Sequence, residues 1–515
     1  MNMRKNFWAI MLVLPLFAFC GSKDNPQEEP KEEETEAVIT LSSEDEITVG
    51  SEAGSGTLTL TSNVDWMVEA DDSWLTVSPE GGKPSKTPVT ITYTYTQNPQ
   101  VKNRSTYIVV SAYGLIKNIS LVQKGDPMAG AATEVKDGDV VLATNPLVEK
   151  FLSEVTYEDK TYKEYTKIFD YYGGFDGKNL TWDNWETDWP DGDKPQAYSI
   201  RWKAEDMEDG VMTLHLEDEL SWAGDMEIAA GSRYVNITNL VPNDKYIYKV
   251  TTASGKTLAQ GNFSTTGLLH QCFFSGNVQK KKGVVLKGEG ARNCRDLGGW
   301  KTLDGKTIKY RMVYRGGRLN EKWTPYPLNA QGEKEVLFEG IGAELDLRGT
   351  SDVIFDPAVE GLLHCAPVIE EGGKSMLVED HAKTKECFEF VVNSLRAGEP
   401  VHFHCSLGRD RTGTLSILLM GLLGVREGDI AKEYELTYFA PVGYSVSSSD
   451  KKNNPTPIFN NTRKAWVYSD VVPYFWEMAE KTSGGTFAEG VEKYLLEVAG
   501  VSQQDIDDFR SLMLE

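Results

Sequence analysis

One stretch, His402-Phe403-His404-Cys405-Ser406-Leu407-Gly408-Arg409-Asp410-Arg411-Thr412-Gly413, constrains the fold more than any other. Before it, Pro400–Cys405 (PVHFHC) reads as a short buried strand. Behind it, Arg411–Gly424 (RTGTLSILLMGLLG) reads as an apolar helix. A strand feeding a helix through a glycine-containing loop is an α/β element. The surroundings repeat it. Met312–Leu319 and Ala343–Gly349 read as strand-to-loop segments, and Cys387–Gly398 as an amphipathic helix ended by glycine. Glu489–Gly500 and Gln503–Leu514 add two more helices. Strands alternating with helices predict a mostly parallel sheet, in an α/β domain over residues 280–515.

The same stretch carries chemistry. Of six cysteines, only Cys405 has arginine at the sixth following position. A loop at a helix N-terminus aims backbone N–H groups at one point, and the helix dipole adds positive potential. Arg411 is suited to clamp two phosphate oxygens at once. The same field favours a Cys405 thiolate, the form that attacks phosphorus. Gly408 lets the loop curl, Ser406, Leu407 and Arg409 complete the anion cradle, and Thr412 is placed to hydrogen-bond the sulfur. This is phosphate-monoester chemistry and calls for no metal or cofactor.

A general acid must protonate the leaving oxygen and later activate water. Asp346, at the predicted C-terminal end of a strand, is one candidate. Asp410, inside the loop, is another, and a lid carboxylate such as Asp380 is a third. Asp346 has a structural alternative, an ion pair with Arg348 or Arg295 that braces the loop. Arg409 either meets additional substrate phosphates or pairs with a loop acid.

Around this loop stand NCRDLGG (Asn293–Gly299), YRMVYRGGRL (Tyr310–Leu319), LDLRG (Leu345–Gly349) and a C-terminal YLLEVAGVSQQDIDDFRSLML. Together they resemble the bacterial tyrosine/serine phosphatase family of the cysteine-dependent protein tyrosine phosphatase superfamily. The resemblance implies a tyrosine/dual-specificity type of α/β fold with extra helices able to act as a lid. It implies protein-tyrosine phosphatase activity through a phosphocysteine. Phosphoserine, phosphothreonine, phospholipid and inositol-phosphate substrates are alternatives. Arg295, Asp296 and His404 would support the site without touching substrate. Gly316-Gly317 and Gly349 depart from the family pattern, which has serine at the first and last of these positions. Cys294, which lies in a family motif, and Cys365 are the other cysteines expected to approach the site; either Cys294 guards Cys405 as a disulfide, or the two are ordinary core thiols.

The N-terminus reads as an address. Arg4 and Lys5 precede an apolar run, Phe7–Phe19, too short to span a bilayer, and Cys20 follows it. This resembles a bacterial lipoprotein signal in residues 1–20, with Cys20 as the lipid anchor. The implied location is the cell envelope, on the periplasmic or the surface side of an outer membrane. Residues 21–36, dense in glutamate, are expected to form a disordered tether.

Residues 37–125 alternate with period two over short Thr-, Val-, Ile- and Tyr-rich runs, which predicts a β-sandwich. With Trp66, Trp74, Pro79 and the closing strand NISLVQ (Asn118–Gln123), they resemble a BACON domain. Trp66 and Trp74 would either stack on sugars or fill the core. Residues 126–268 alternate again, and Asn239–Gly267 resembles the last hairpin of a fibronectin III or immunoglobulin-like β domain, with Tyr246 and Tyr248 in its core. Asp170–Asp193, rich in Trp and Asp, is expected to be a long solvated loop.

The expected architecture is thus multidomain, two all-β sandwich domains followed by the α/β phosphatase domain. Lys plus Arg number 53 against 77 Asp plus Glu, a net charge of −24 that argues against nucleic acid as a partner. The expected partners are a phosphorylated protein or phospholipid substrate, a membrane through the anchor, and a glycan on the β domains. A glycan-binding adhesion lipoprotein with an inactive phosphatase domain is the competing reading.

Overall fold

The computed structural model describes residues 36–42, 45–100, 102–157, 192–206, 208–276, 280–281, 284–285, 290–320, 328–440, 466–481 and 485–515. Cys20, the apolar run before it, most of the tether and nearly all of the Asp170–Asp193 segment lie outside these residues. The chain divides into two compact units, Met1–Asp126 and Pro127–Glu515. No helix among the described residues is long and apolar enough to cross a membrane.

Among its described residues the first unit has nine strands: β1 (Ile39–Leu41), β2 (Glu46–Val49), β3 (Gly54–Ser62), β4 (Trp66–Ala70), β5 (Leu75–Ser78), β6 (Gly81–Gly82), β7 (Ser85–Tyr95), β8 (Arg104–Ala112) and β9 (Leu115–Gln123). They form two sheets, β1-β3-β7-β5 and β2-β9-β8-β4-β6. Alternation sends Leu58, Leu60 and Ile91 from one sheet, and Val68, Ile108, Val110, Ile119 and Leu121 from the other, into one core. Trp66 belongs to that core, 3% exposed, and its indole N–H donates to the Lys83 carbonyl at 3.2 Å. It therefore has no face for a sugar. Trp74 carries the Arg104 guanidinium 4.2 Å from its ring centroid.

In the second unit, β10 (Thr133–Glu134), β12 (Tyr198–Arg201) and β15 (Tyr234–Ile237) form a small sheet. β11 (Asp139–Leu142), β13 (Met212–Asp218), β14 (Ala223–Ile228), β16 (Lys245–Thr252) and β17 (Thr257–Thr266) form a larger one, in the order β11-β17-β16-β13-β14. Tyr246 and Tyr248 are buried between Phe263 and its neighbours, as their alternation predicts.

The phosphatase-like part is built on β18 (Gln271–Phe274), β21 (Ala291–Asp296), β22 (Val313–Gly316), β23 (Ala343–Asp346), β24 (Leu363–Cys365) and β25 (Val401–His404). A separate hairpin joins β19 (Lys280–Lys281) and β20 (Val284–Val285). The six-stranded sheet runs β18-β21-β22-β25-β23-β24. Its β22, β25, β23 and β24 are parallel, and β18, β21 and β22 pair antiparallel. The alternation of strands and helices therefore predicts the parallel half and misses the antiparallel edge.

Among the described residues nine α-helices accompany these sheets: α1 (Pro146–Glu154), α2 (Ala330–Phe338), α3 (Lys374–Val378), α4 (His381–Arg396), α5 (Asp410–Leu422), α6 (Glu427–Glu435), α7 (Trp466–Ala479), α8 (Phe487–Tyr494) and α9 (Gln503–Met513). α5 is buried along nearly its whole length, which explains its unbroken apolar sequence.

The boundary expected between a β domain ending at 268 and an α/β domain starting at 280 does not match the packing. β18 is an edge strand of the phosphatase-like sheet. α1, from the segment read as all-β, buries Val148, Phe151 and Leu152 in the same core as Leu345, Phe403 and Leu415. Tyr157 follows it into that core, and its hydroxyl donates to Glu435 at 2.5 Å. The sequence does mark this helix. Asn145 caps it through Leu147 N–H at 3.0 Å, Pro146 opens it, and apolar residues recur at helical spacing.

Candidate active site

β25 ends at His404, and the chain passes through Cys405–Arg409 into α5. Gly408 sits at φ +69°, and a Cβ there would lie 2.4 Å from the Gly316 carbonyl oxygen. The close approach of this loop to β22 therefore requires glycine. The glycine at 316 is required too. A Cβ on it would meet Cys294 Sγ at 2.4 Å, so the departure from serine accommodates a neighbour. At Gly349 the position of a Cβ is taken by the Glu370 carboxylate, 2.4 Å away.

The loop is held from behind. Asn293 Nδ2 donates to the Leu407 and Gly408 carbonyls at 3.1 and 3.0 Å. Arg315 donates to the Gly408 carbonyl as well. Carbonyls that would repel an anion are thus drawn toward donors behind the loop. Glu433 organises both arginines. It receives Arg295 Nε at 2.7 Å and Arg315 Nη1 at 3.0 Å, and all three side chains are buried. Burial and the adjacent Arg315 lower the Arg295 pKa to about 10, against the opposing pull of Glu433. Arg295 is thus fixed between Glu433 and Asn293, the side chain that holds the loop carbonyls. Asp296 lies elsewhere: it accepts from Gly298 N–H, Arg311 N–H and His270. His404 bonds Glu344 at 2.9 Å and approaches the Cys405 carbonyl.

Cys405 is 3% exposed. Burial by itself pushes its thiol up. The Arg411 guanidinium and the Thr412 hydroxyl and N–H outweigh burial and hold the thiol below its ordinary value. Among the described residues the Thr412 hydroxyl has no oxygen or nitrogen partner, which leaves it for the sulfur. Arg411 is oriented by the Ile369 carbonyl at 3.0 Å and lies 3.4 Å from Ser406 Oγ. The other cysteines differ. Burial raises Cys294 and Cys365 to about 12. All five described cysteines are free thiols, and Cys294 contacts His402 at 3.6 Å.

The carboxylates separate clearly. Asp346 is fully buried and takes three bonds from the Arg348 guanidinium, at 2.7 to 3.0 Å, and one from its N–H. Burial raises its pKa, but His404 and Arg348 hold the carboxyl below the usual carboxylate range. Asp346, expected as a general acid, is held in the ion pair with Arg348 that was its structural alternative. Asp410 is bidentate with Arg409, at 2.9 and 2.8 Å, so the loop's additional positive charge is matched within the loop. Asp380 stands just before α4 without capping it through its side chain, and pairs with Lys383 at 2.8 Å.

Sequence reasoning missed Asp352. This half-buried carboxylate, six residues beyond Asp346, receives the Ser406 hydroxyl of the loop. It sits past the C-terminal end of β23, the side on which open α/β sheets place their sites, and that position was the available signal. Among the described residues, the grouping with metal-ligand spacing is His270, Cys272 and Glu339. Its Glu339 is already engaged by Arg311 and Tyr314, and the group is not part of the Cys405 loop.

Comparison with known proteins adds two families. Residues 286–515 match the tyrosine phosphatase family. Residues 64–124 match the BACON family, described as "Putative binding domain, N-terminal". A protein of Cupriavidus necator named "Putative tyrosine-protein phosphatase" is 26% identical over 167 residues, which cover 28% of this chain and 59% of the relative. The chain thus spans less than two thirds of that relative's length. Among solved structures, a Bacteroides ovatus GH5 xyloglucanase in complex with a XXXG heptasaccharide matches at 15% identity. The match covers 21% of this chain and 28% of that one, with TM-score 0.16. A Bacteroides thetaiotaomicron protein solved by NMR matches at 16% identity over 19% of this chain and 97% of its own, with TM-score 0.14. Likenesses this weak carry no argument about function.

Proposed function

With residues 286–515 a tyrosine phosphatase family domain, we propose that this protein hydrolyses phosphotyrosine through a phosphocysteine at Cys405. The observation that carries the reading is the thiol itself. Cys405 is buried yet held below its ordinary pKa at the N-terminal end of α5, beside Arg411 and Thr412.

The phosphate sits in the loop against the N-terminus of α5, with Arg411 on its oxygens. The Cys405 thiolate attacks phosphorus, an S–P bond forms and the P–O bond to the leaving group breaks. Protonated Asp352 gives its proton to the departing oxygen. The resulting Asp352 carboxylate then takes a proton from water, whose oxygen attacks phosphorus. The S–P bond breaks, the thiolate is restored and inorganic phosphate leaves. Thr412 stabilises the sulfur as it departs. Ser406, bonded to Asp352, ties the acid to the loop.

Arg409 supports phosphotyrosine over a phosphoinositide, because Asp410 already pairs its guanidinium. We further propose that Cys20 carries a lipid and that the tether holds the enzyme at the cell envelope. The fibronectin III-like assignment of the second β region and a glycan ligand for the β domains belong to the same proposal. Incorporation of labelled palmitate, lost in Cys20→Ala, tests the anchor.

The test of the activity uses the full chain with reductant and EDTA, beside Cys405→Ser. Turnover of a phosphotyrosine peptide that vanishes in the variant is the expected result. Turnover of a phosphoinositide alone would move the substrate to lipid. No turnover of either would overturn the reading in favour of a binding protein.

A further inference from the structure

The phosphate loop is held in shape by a residue that precedes the phosphatase family match by nearly a hundred positions. Asp193 is 6% exposed and lies outside the sheet that carries Cys405. Its carboxylate receives Arg292 Nε at 2.9 Å and Nη2 at 2.5 Å, and the backbone N–H of Asn293 at 2.9 Å. Asn293 is the side chain that clamps Leu407 and Gly408. It does so from φ +61°, a left-handed conformation that costs free energy and persists only where its surroundings hold it. The hydrogen bond from its N–H to Asp193 is part of that hold.

Asp193 is itself fixed. The Gly192 carbonyl accepts from Gln271 of β18 at 2.9 Å, and Gln271 accepts from the Asn145 N–H at 2.7 Å. The Asn145 side chain donates to the Lys194 carbonyl at 2.9 Å. Gly192 has no room for a side chain, because a Cβ would meet the Phe439 ring at 2.8 Å, and Phe439 packs on Phe151 of α1. The cap of α1, the edge strand β18 and the segment around Asp193 therefore form one buried support ending on the loop's carbonyls.

We infer that Asp193 is a positioning residue of the active site, acting through Asn293 on the phosphate loop, and that the catalytic unit includes the second β region. The activity readout rests on the phosphatase reading above; the geometry does not.

The experiment uses the full chain and compares the parent with Asp193→Ala, Asp193→Asn and Asn293→Gly. Glycine accepts the left-handed conformation and removes the clamp together with the side chain's bonds to Arg295 and Thr437. Asp137→Asn, in the second β region away from this support, is the control; Asp137 bonds Asn262. Alkylation of Cys405 by iodoacetamide is followed against pH by mass mapping, with kcat, KM and the melting temperature alongside. Cys294 and Cys365, with thiols near 12, stay silent over the range used.

Asp193→Ala and Asn293→Gly are expected to move the Cys405 alkylation midpoint upward by about one pH unit and to lower kcat by about tenfold or more. Asp193→Asn, which keeps an oxygen for the Asn293 N–H, is expected to recover part of both. A merely structural role would lower the melting temperature and leave the midpoint where it was. That result, with kcat within about twofold of the parent, would overturn the inference. If Asp193→Ala does not fold, Asp193→Asn decides by the same criteria. If the parent itself lacks turnover, the phosphatase reading fails, and the alkylation midpoint still decides the positioning role.

Discussion

The two β regions of this chain solve the same burial problem in different ways. The first, β1 to β9, closes two sheets on a core of its own residues, and Trp66 is spent in that core. The second, β10 to β17, has a core around Tyr246 and Phe263, but its connecting segments belong to the neighbouring α/β part. α1 and Tyr157 pack under the sheet that carries Cys405, and β18 extends that sheet. Arg311 binds the two parts further. It reaches Asp218 and Tyr246 on one side and Glu339 on the other, beneath the Trp222 ring. A domain with its own core can be read from sequence as a module. One whose connections are shared cannot be cut at the visible boundary without exposing core residues.

The largest expected effect concerns where the chemistry resides. Cys405→Ser should reduce phosphotyrosine turnover by at least about 10⁴-fold while the melting profile stays as in the parent. Residual turnover near the parent level would place the reaction elsewhere in the chain. Next, Asp352→Asn should lower kcat by roughly 10² to 10⁴-fold for a substrate with a poor leaving group, and by much less for an activated aryl phosphate. If Asp410→Asn shows that pattern and Asp352→Asn does not, the acid is Asp410.

Core truncations sharpen the comparison directly. Phe151→Ala should destabilise the second unit by about 3–5 kcal/mol and leave the melting of the first unchanged, although Phe151 precedes the phosphatase family match. Trp66→Ala should do the reverse, at similar cost to the first unit. A shift of both transitions by either variant would mean that the units do not melt independently.

A smaller effect is the pH dependence. Because the Cys405 thiol is lowered in the folded protein, its ionised form is favoured there. kcat/KM should fall as pH drops through that lowered value, at a pH below the ordinary thiol value of 9.0. The thiolate's contribution to stability has the same sign. It is complete above the unfolded thiol's value and is lost as pH falls through the folded one. In Thr412→Val the limb should move toward higher pH, since one of the bonds that lowers the thiol is gone. The smallest effect is deletion of residues 1–126, the first compact unit, which should leave kcat within about twofold.

Much of the site is legible in residues close together along the chain. Cys405, Gly408, Arg411 and Thr412 all lie within one strand–loop–helix crossing, so local pattern places them. The carboxylates are not legible in this way. Asp346 and Asp352 stand six residues apart, and only the direction of Arg348 decides between them. Its three bonds occupy Asp346, while Asp352 is left beside Ser406. Arg409 and Asp410 are adjacent, yet their pairing depends on side-chain rotation that no spacing encodes. The second β region hid its helix because two short sheets surround it, although Asn145, Pro146 and the spacing of Val148, Phe151 and Leu152 mark it.

By itself, then, the amino-acid sequence determined the features that depend on neighbours along the chain. These are the alternating strands of the first unit, the parallel half of the six-stranded sheet, and a cysteine and an arginine brought together by one turn. Tertiary structure alone decided which carboxylate Arg348 occupies, which glycines are required by a neighbour's approach, and that Asp193 stands behind the Cys405 loop. The physical reason is range. Backbone propensity and hydrophobic period act over a few residues, whereas a buried carboxylate takes its role from whichever cation the fold brings within hydrogen-bonding distance.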